Sequence, residues 1–350
     1  MKVHEIKLPQ EIIVGSNVIQ YTGKICKRLG LKKKIIIITG PHVKKIAGEK
    51  ISEILTDEGI ENSIYITKVS KMTEVDKIIK ETGKDKADAI IGAGGGRVID
   101  IAKMVAFKKD IPCISVPTAA SHDGIASPRA SLKELNGPTS IAVNPPMAII
   151  ADSKIIKTAK YRLLASGCAD IIAKFTAVRD WKLAHKLKGE YYGEYAASLA
   201  LMSANLIVEH AIQIPKMADE DVRTVIEALI SCGVSMCIAG SSRPCSGSEH
   251  LFSHALDMIA KKPALHGEQC GVGTIMMMYL HGGDWKMVRD ALKTIGAPTN
   301  AKELGISEEE VIKALTIANK IRPNRYTILG EKEIRWEVAE KIAKITGVIQ

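Results

Sequence analysis

The sequence is poor in three features that mark common classes of protein. Aromatic residues make up only 4% of its 350 residues, so the stacking platforms that single-stranded nucleic-acid binders use are scarce. The seven cysteines are an odd number, are scattered and include no C-x-x-C pair, which is typical neither of a disulfide framework nor of a thiolate zinc site. No stretch approaches the roughly 20 apolar residues of a membrane-spanning helix. We therefore expect reduced thiols and no membrane span.

The N-terminal stretch MKVHEIKLPQEIIVG alternates apolar and polar residues and lacks the apolar run of a signal peptide. We therefore expect a cytoplasmic protein. The net charge of +10 and the basic cluster KICKRLGLKKK, residues 24–34, raise nucleic acid as a possible partner. Most clusters of this kind are solvated helix ends, however, and a basic protein equally attracts an anionic metabolite. We expect no nucleic-acid partner.

The pattern of apolar residues divides the chain into two halves. Five short apolar or β-branched runs predict strands, with amphipathic helical patterns between them, and this alternation predicts a doubly wound parallel sheet. From about residue 154 the apolar spacing is three and four, which predicts helices only. We therefore expect an α/β dinucleotide-binding domain over 1–153 and an all-helical metal- and substrate-binding domain over 154–350. The predicted strands span residues 34–40, 61–67, 87–96, 111–118 and 147–152.

The third predicted strand ends in a glycine cluster, GAGGGRVIDIAK, which leads directly into a predicted helix. Glycines let the backbone approach a pyrophosphate closely, and the amides at the start of a helix attract its negative charge. A plain tight turn is the alternative, since the spacing differs from the usual dinucleotide fingerprint. The next predicted strand ends in small residues, VPTAASHDGIASP. Because neighbouring parallel strands end at the same edge of a sheet, both segments are expected to line one crevice.

The predicted helical half carries a carboxylate and three histidines of interest. Asp170 lies inside an otherwise apolar helix, LLASGCADIIAK, so it is expected to be hydrogen-bonded, paired or bound to a cation. His250 and His254 are one helical turn apart, and His266 follows in a loop. Two histidines and a carboxylate are a common catalytic zinc or iron set. The alternative is that each of these side chains has only a structural role.

These motifs together carry a resemblance. The strand-end glycines, PTAASHDGIASP, the aspartate of GCADIIAK and EHLFSHAL…LHGEQCGVGT resemble the iron-containing alcohol dehydrogenase and dehydroquinate synthase superfamily over nearly the whole chain. Within it, the likeness is greatest to the archaeal sn-glycerol-1-phosphate dehydrogenase family. The resemblance implies a nucleotide-binding α/β domain and a helical domain, with cofactor and metal in the cleft between them.

The resemblance also implies roles for individual residues. It makes Asp170, His250 and His266 the ligands of one divalent metal, which we expect to be zinc, although helical spacing alone would equally place His250 and His254 on the metal together. It gives Asp123, Asp170 and His254 contacts with the substrate, with Asp123 and His254 as the candidate catalytic residues. Residues implied to contact the cofactor are Gly94, Gly95, Gly96, Arg97, Val98, Ile99, Asp100, Thr118, Ala119, Ala120, Ser121 and Ser127.

The implied reaction is the reversible, NAD(P)H-dependent reduction of dihydroxyacetone phosphate to sn-glycerol 1-phosphate, a step of archaeal membrane phospholipid synthesis. The partner is then a phosphorylated small molecule, and a homo-oligomer is possible. After the first main predicted strand, IIIITGPHVKK has no acidic residue to repel a 2′-phosphate, while Lys44 and Lys45 lie just beyond. We therefore expect both NADH and NADPH to be used. Glycerol dehydrogenase and a dehydroquinate synthase-like lyase are the alternatives. The native metal, the phosphate-binding residues and the oligomeric state stay open.

Overall fold

A computed structural model describes residues 3–83, 86–134 and 137–350. Its centre is a six-stranded sheet in which all neighbouring strands are parallel. A two-stranded antiparallel hairpin forms a second, small sheet. The strands in chain order are β1 (Glu11–Gly15), β2 (Lys34–Thr39), β3 (Glu61–Ile66), β4 (Ala89–Gly94), β5 (Cys113–Pro117), β6 (Arg129–Glu134), β7 (Gly137–Ala142) and β8 (Ala148–Asp152).

The order of strands across the large sheet is β1-β8-β5-β4-β2-β3. Its central strands are buried on both faces, as Ile35 to Ile38 of β2 illustrate, because helices cover the sheet on each side. All five strands predicted from the sequence are confirmed, and the parallel α/β architecture with them. The sequence-based prediction missed β1 and the β6–β7 hairpin. Strand β1 is a half-exposed edge strand, and the hairpin strands read RASLKE and GPTSIA, neither of which is an apolar run.

Helices flank this sheet and then continue without further strands in the described part of the chain after β8. The bounds of the longer helices in the first half are α1 (Thr22–Arg28), α2 (Glu49–Asp57), α3 (Met72–Thr82) and α4 (Gly96–Lys109). The α-helices of the second half, short ones included, are α5 (Ser153–Ile156), α6 (Tyr161–Ile172), α7 (Lys174–Lys188), α8 (Glu194–Glu209), α9 (Asp219–Ala239), α10 (Ser248–Ile259), α11 (His266–Leu280), α12 (Trp285–Ile295), α13 (Ala301–Leu304), α14 (Glu308–Ile317) and α15 (Trp336–Ile345).

Helix α9 is the one described helix whose length and apolar composition would suffice to cross a membrane, and 67% of its most apolar window is buried inside the protein. Its side chains belong to a large apolar core made mostly by the helices of the second half. This burial is typical of a central helix in a globular domain, whose apolar faces pack against neighbouring helices on several sides.

The end of β8 is where strands give way to helices. The buried carboxylate of Asp152 accepts hydrogen bonds from the backbone amides of Lys154 and Ile155 and so caps α5. The same carboxylate also accepts hydrogen bonds from the backbone amides of Asn17 and Ile19, which follow the edge strand β1. The Asp152 side chain therefore connects the carboxyl ends of the neighbouring strands β1 and β8 to α5, the first helix after the sheet. The domain boundary at 153/154 coincides with this change and stays a prediction.

Two backbones approach closely where the helical region meets the sheet. A Cβ atom on Gly167 of α6 would lie 2.1 Å from the carbonyl oxygen of Ala120, in the loop after β5. Only glycine fits there, because the atom in the way is rigid backbone. Helix α6, which carries Asp170, is thereby held against the carboxyl ends of the strands.

Candidate active site

The glycine cluster lies where the chain reverses its direction across the sheet. Strands β2 and β4 are neighbours, yet from β2 the chain continues to β3 on one side and from β4 to β5 on the other. Such a switch point leaves a crevice at the carboxyl ends of the strands, which is where ligands bind in open α/β sheets. Gly95 precedes α4 with an extended backbone and no side-chain cap. The first amides of α4 are therefore available to an anionic group.

His122 packs against the start of α4. A Cβ atom on Gly96 would lie 1.6 Å from His122 Nε2, so residue 96 has to be glycine while the ring is there. The ring is oriented by its Nδ1, which accepts a hydrogen bond from the Gly124 amide at 2.9 Å. Burial lowers the pKa of His122, which keeps the ring neutral as an acceptor requires. The imidazole therefore forms a wall of the crevice and not a cationic site.

Four side chains bring possible metal ligands together at the same place. One ligand atom each from Asp170, His250, His266 and Cys270 lies within 4.8 Å of all the others. Asp170 comes from the interior of α6, His250 from α10, and His266 is the first residue of α11. Ligand distances of about 2.0–2.3 Å place the donors of one ion within about 4.5 Å of each other, so a small adjustment of side chains would close this set around an ion.

The ring of His250 is oriented for coordination. Its Nδ1 lies 2.7 Å from Oε1 of Glu249, while its Nε2 lies 3.7 Å from Oδ1 of Asp170. Glu249 is itself fixed, because it accepts bonds from the Thr176 hydroxyl at 2.6 Å and the Gly247 amide at 2.7 Å. A carboxylate behind one ring nitrogen fixes the tautomer that leaves the other nitrogen free for a metal. The donor set therefore fits a divalent ion.

Asp170 is ionised despite complete burial. Burial acts to raise its pKa, but the charges of Lys174, His266 and His250 outweigh this and hold the pKa well below its ordinary value. The Lys174 ammonium lies 2.8 Å from Oδ1 of Asp170, and the Asp123 amide donates to Oδ2 at 2.9 Å. Lys174 also lies 2.8 Å from Oδ2 of Asp123. Two carboxylates and one ammonium thus form a buried ion network directly beside the donor set.

Of the four possible metal ligands, Cys270 is the one least suited to bind an ion. It lies one turn after His266 on α11, and its Sγ is 3.6 Å from His266 Nε2. Burial raises its pKa well above the ordinary value of a thiol, so coordination of an ion by this sulfur would first require the loss of its proton. The arrangement therefore favours three protein ligands with an open position over four closed ones.

Comparisons with known proteins agree with this geometry. A family model described as iron-containing alcohol dehydrogenase matches residues 13–159. The chain is 54% identical to the glycerol-1-phosphate dehydrogenase (NAD(P)+) of Thermococcus kodakarensis, over 99% of both chains. It is 53% identical to the same-named protein of Methanothermobacter thermautotrophicus, over the full length of both.

The chain belongs to the glycerol-1-phosphate dehydrogenase family.

Solved structures extend the likeness of this family member to its fold. The crystal structure of glycerol dehydrogenase from Schizosaccharomyces pombe superposes with a TM-score of 0.83, covering 99% of this chain and 91% of that one. The sequence identity is only 20%, so this likeness concerns the fold and not the substrate. The superfamily and the family named from the sequence motifs are both confirmed.

The metal ligands expected in this glycerol-1-phosphate dehydrogenase family member lie together, and His254 is a neighbour outside this donor set. The ring of His254 is stacked on that of His266 with centroids 6.0 Å apart, and its Nδ1 makes no hydrogen bond to any residue the structure describes. Spacing along α10 would have allowed His250 and His254 to share an ion, but only His250 is in the donor set. The ligand roles of Asp170, His250 and His266 stay predictions.

The residues expected at the cofactor occupy different positions. Arg97 is exposed at the start of α4, whereas Ile99 is fully buried in the core, so only its backbone can face a ligand. The Asp100 carboxylate is occupied by protein partners. It lies 2.9 Å from Lys103 Nζ and accepts a hydrogen bond from the Ser131 amide at 3.2 Å. The loop after β5 joins the glycine cluster through a bond from the Thr118 amide to the Gly94 carbonyl. The remaining expected residues of this loop, Ala119, Ala120, Ser121 and Ser127, are buried or half-buried along the crevice.

Several residues of the site were not predicted from the sequence. They are Glu249 behind His250, Lys174 between the two aspartates, His122 against Gly96, and Cys270 beside His266. Two of them had a recognisable signal, because Lys174 follows Asp170 and Cys270 follows His266 at the i, i+4 spacing of a helix. The position of His122 depends on a loop, which periodicity does not describe.

Proposed function

We propose that this chain catalyses the reversible NAD(P)H-dependent reduction of dihydroxyacetone phosphate to sn-glycerol 1-phosphate, the backbone of archaeal membrane phospholipids. The observation that carries the proposal is the 54% identity over 99% of the chain to a curated glycerol-1-phosphate dehydrogenase. The geometry supports it, because a donor set for one metal lies beside a crevice suited to a dinucleotide.

We propose that Asp170, His250 and His266 hold the metal, and that the metal is zinc. A divalent ion there would supply Lewis-acid polarisation of a carbonyl oxygen. The chain prepares the set in advance: Glu249 fixes the tautomer of His250, and Lys174 keeps Asp170 ionised and oriented. The apolar core around α6, α10 and α11 limits water at the donor atoms.

We propose that residues 94–100, residues 118–121 and Ser127 bind the dinucleotide, with its pyrophosphate at the N-terminus of α4. A bound nicotinamide would supply the hydride. The protein contributes by presenting the amides of Gly96 and Arg97, which make no hydrogen bond within the described residues, beside the wall formed by His122. Arg97 is exposed at this helix end, where its charge would be added to that of the amides.

We propose that Asp123 and His254 act on the substrate. Asp123 is paired with Lys174, so its carboxylate is an acceptor that can orient a substrate hydroxyl. Burial, followed by the charges of His266 and Arg322, lowers the pKa of His254 well below its ordinary value, which keeps the ring neutral. A neutral imidazole accepts at one nitrogen and donates at the other, so His254 can pass a proton from water to the substrate oxygen.

The domains, location and assembly of the protein follow the same proposal. We assign dinucleotide binding to residues 1–153 and metal and substrate binding to residues 154–350. Cytoplasmic location, the absence of a nucleic-acid partner and a homo-oligomeric state stay predictions. The basic cluster at 24–34 is compatible with the absence of a nucleic-acid partner, since Lys27 pairs with Glu58 and Arg28 with Glu11.

The experiment that tests this function compares two ketones. Purified, metal-loaded protein would be assayed for nicotinamide oxidation with dihydroxyacetone phosphate and with unphosphorylated dihydroxyacetone. We expect a far higher kcat/KM for the phosphorylated ketone, because binding of its remote phosphate can be used to orient the carbonyl. In the reverse direction, sn-glycerol 1-phosphate should react and its enantiomer should not. Comparable kcat/KM values for the two ketones would instead favour the glycerol dehydrogenase alternative.

A further inference from the structure

Three arginines near the candidate site lack a carboxylate partner. Arg129 begins β6, and Arg322 and Arg325 lie in the segment between α14 and α15. All three are half-buried, and none forms an ion pair with an acidic side chain that the structure describes. Nearby Arg243 is different, because Glu190 neutralises it through a bidentate pair that includes a 2.6 Å bond from Nε to Oε1.

These arginines approach helix α10 from two sides. Arg129 is held in the hairpin by bonds from Nε to the Ser140 hydroxyl at 3.2 Å and from Nη2 to the Ser140 carbonyl at 2.6 Å, and β7 packs against α10. Arg325 donates from Nη2 to the Ser242 hydroxyl at 2.9 Å and from Nη1 to the Ser246 carbonyl, in the loop that leads into α10. The turn just before Arg322 also packs against α10. We call these three residues the arginine cluster.

The arginine cluster lies next to His254. His250 and His254 are one turn apart on α10, with ring centroids separated by 6.5 Å. After burial and the charge of His266, the charges of Arg322 and Arg325 are among those that lower the pKa of His254. After burial, the charge of Arg129 lowers the pKa of Arg322. The arginine cluster and His254 are therefore close enough for their charges to interact, on the helix that also carries the metal donor His250.

The arginine cluster is costly without an anion. Arg322 makes no side-chain hydrogen bond or ion pair within residues 3–83, 86–134 and 137–350, although a guanidinium carries five N–H donors. Burial together with the neighbouring charges of Arg243 and Arg322 lowers the pKa of Arg325 to about 9, and the charges of Glu190 and Glu249 only partly oppose this. Half-buried cations that repel each other and leave donors unused indicate a site built for a negative ligand.

We propose that Arg129, Arg322 and Arg325 bind the phosphate group of the substrate, with Arg322 as its main anchor. This inference rests on the proposed function, in which the substrate is a small phosphorylated ketone. In such a molecule the phosphate is one carbon away from the carbonyl group. A carbonyl at the metal donors would therefore keep its phosphate near α10, around which the arginine cluster is arranged. Guanidinium groups suit this ligand because their parallel N–H bonds match phosphate oxygens.

A second source could supply the same phosphate chemistry. The 2′-phosphate of NADPH is also a dianion, and the cofactor crevice opens at the carboxyl ends of β2 and β4. The arginine cluster is instead arranged around α10, on the helical side. The substrate is therefore the source we favour, and separate measurements of substrate and cofactor affinity distinguish the two.

The key variant is Arg322→Ala, because Arg322 makes no described side-chain bond whose loss would disturb the fold. Arg322→Lys keeps the positive charge but lacks the paired N–H donors of a guanidinium. Arg179→Ala is the control, because it removes an arginine at an exposed position of α7. Metal-loaded proteins would be assayed with dihydroxyacetone phosphate and dihydroxyacetone. NADH and NADPH affinities would be measured by fluorescence, and thermal unfolding of metal-free protein would be followed with and without inorganic phosphate.

We expect Arg322→Ala to lower kcat/KM for dihydroxyacetone phosphate by about 10- to 100-fold, the effect of losing charge-assisted bonds to an anion. The kcat/KM for dihydroxyacetone and both cofactor affinities should not change, and Arg322→Lys should fall between. Without ligand, Arg322→Ala should unfold at the same or a higher temperature than the wild type, since a repelled cation is removed; a purely structural arginine would give the opposite. Arg179→Ala should behave as wild type throughout.

The outcomes separate this inference from the proposed function. If the wild type prefers the phosphorylated ketone and Arg322→Ala keeps that preference, the inference is overturned while the function stands. If Arg322→Ala weakens only NADPH, the arginine cluster serves the cofactor and the inference is also overturned. If the wild type shows no preference between ketones, the function fails. Phosphate that still raises the unfolding temperature of the wild type but not of Arg322→Ala would, even then, support an anion site at Arg322.

Discussion

The ammonium nitrogen of Lys174 lies 2.8 Å from a carboxylate oxygen of Asp170, and both side chains are completely buried. The same nitrogen lies 2.8 Å from Asp123, so one cation serves two carboxylates. Burial acts to lower the pKa of Lys174, but the charges of Asp123 and Asp170 outweigh it and raise the pKa well above its ordinary value. Lys174 therefore stays charged and neutralises part of the site before any metal binds.

The first prediction concerns this lysine. Lys174→Met should destabilise the metal-free protein by about 3–5 kcal/mol, because it leaves buried carboxylates without their cation. The loss should be smaller with zinc present, since a bound divalent ion supplies positive charge at Asp170. Urea unfolding with a chelator and with zinc measures both values. Lys182→Met, at an exposed position of α7, is the matched control, and an equal loss in both conditions would contradict the prediction.

The second prediction concerns the metal ligands. Alanine at Asp170, His250 or His266 should each strip the metal from a protein that otherwise binds one ion per chain, whereas His254→Ala should retain it. Cys270→Ser should also retain it, because three protein ligands suffice for a catalytic metal site with an open position. Elemental analysis of purified variants gives the metal content directly. Loss of metal in His254→Ala together with retention in His266→Ala would show that the ligand assignment is wrong.

Part of the fold was predictable because burial leaves a strong pattern in sequence. Strand β2 is buried on both faces and reads as a run of isoleucines, so its prediction needed no tertiary information. Strand β1 gains its stability from pairing with β8, more than 130 residues later, and its own residues are half-exposed. The β6 strand likewise depends on its partner and on α4, against which it packs. Long-range pairing of this kind leaves little local pattern.

The candidate site shows the same division. The types of Asp170, His250 and His266 indicated a metal, but sequence spacing equally allowed His254, and only the structure shows that His250 and not His254 has a nitrogen in the donor set. The arginine cluster illustrates the opposite case. Arg129 and Arg322 are almost 200 residues apart, and neither position is unusual by itself. Their meaning depends on the absence of an ion pair with any described carboxylate, which is a property of the folded chain.

The third prediction separates fold from cofactor binding at two adjacent glycines. Gly96→Ala would bring its Cβ to 1.6 Å from His122 Nε2, so the ring must move and the protein should be destabilised. A Cβ on Gly95 meets no protein atom within 4 Å, and the backbone there has a φ of −75°. Gly95→Ala should therefore fold as the wild type does but bind NADH more weakly if the dinucleotide passes over this residue. Thermal unfolding and cofactor fluorescence measure the two effects, and unchanged affinity in Gly95→Ala would place the dinucleotide elsewhere.

The last prediction concerns the choice between the two nicotinamide cofactors. Strand β2 ends beside β4, where the Thr39 hydroxyl donates to the Ala93 carbonyl at 2.8 Å, so the turn after β2 borders the glycine cluster. That turn carries no acidic residue to repel a 2′-phosphate, and beyond it Lys44 is paired with Glu49 while Lys45 is exposed. We expect kcat/KM values for NADH and NADPH to lie within about a hundredfold, or about 3 kcal/mol. Lys45→Ala should weaken NADPH and leave NADH unchanged, whereas Lys50→Ala, at an exposed position of α2, should affect neither. A larger preference for NADH in the wild type would contradict this, because it would require a feature near the ribose that rejects the phosphate.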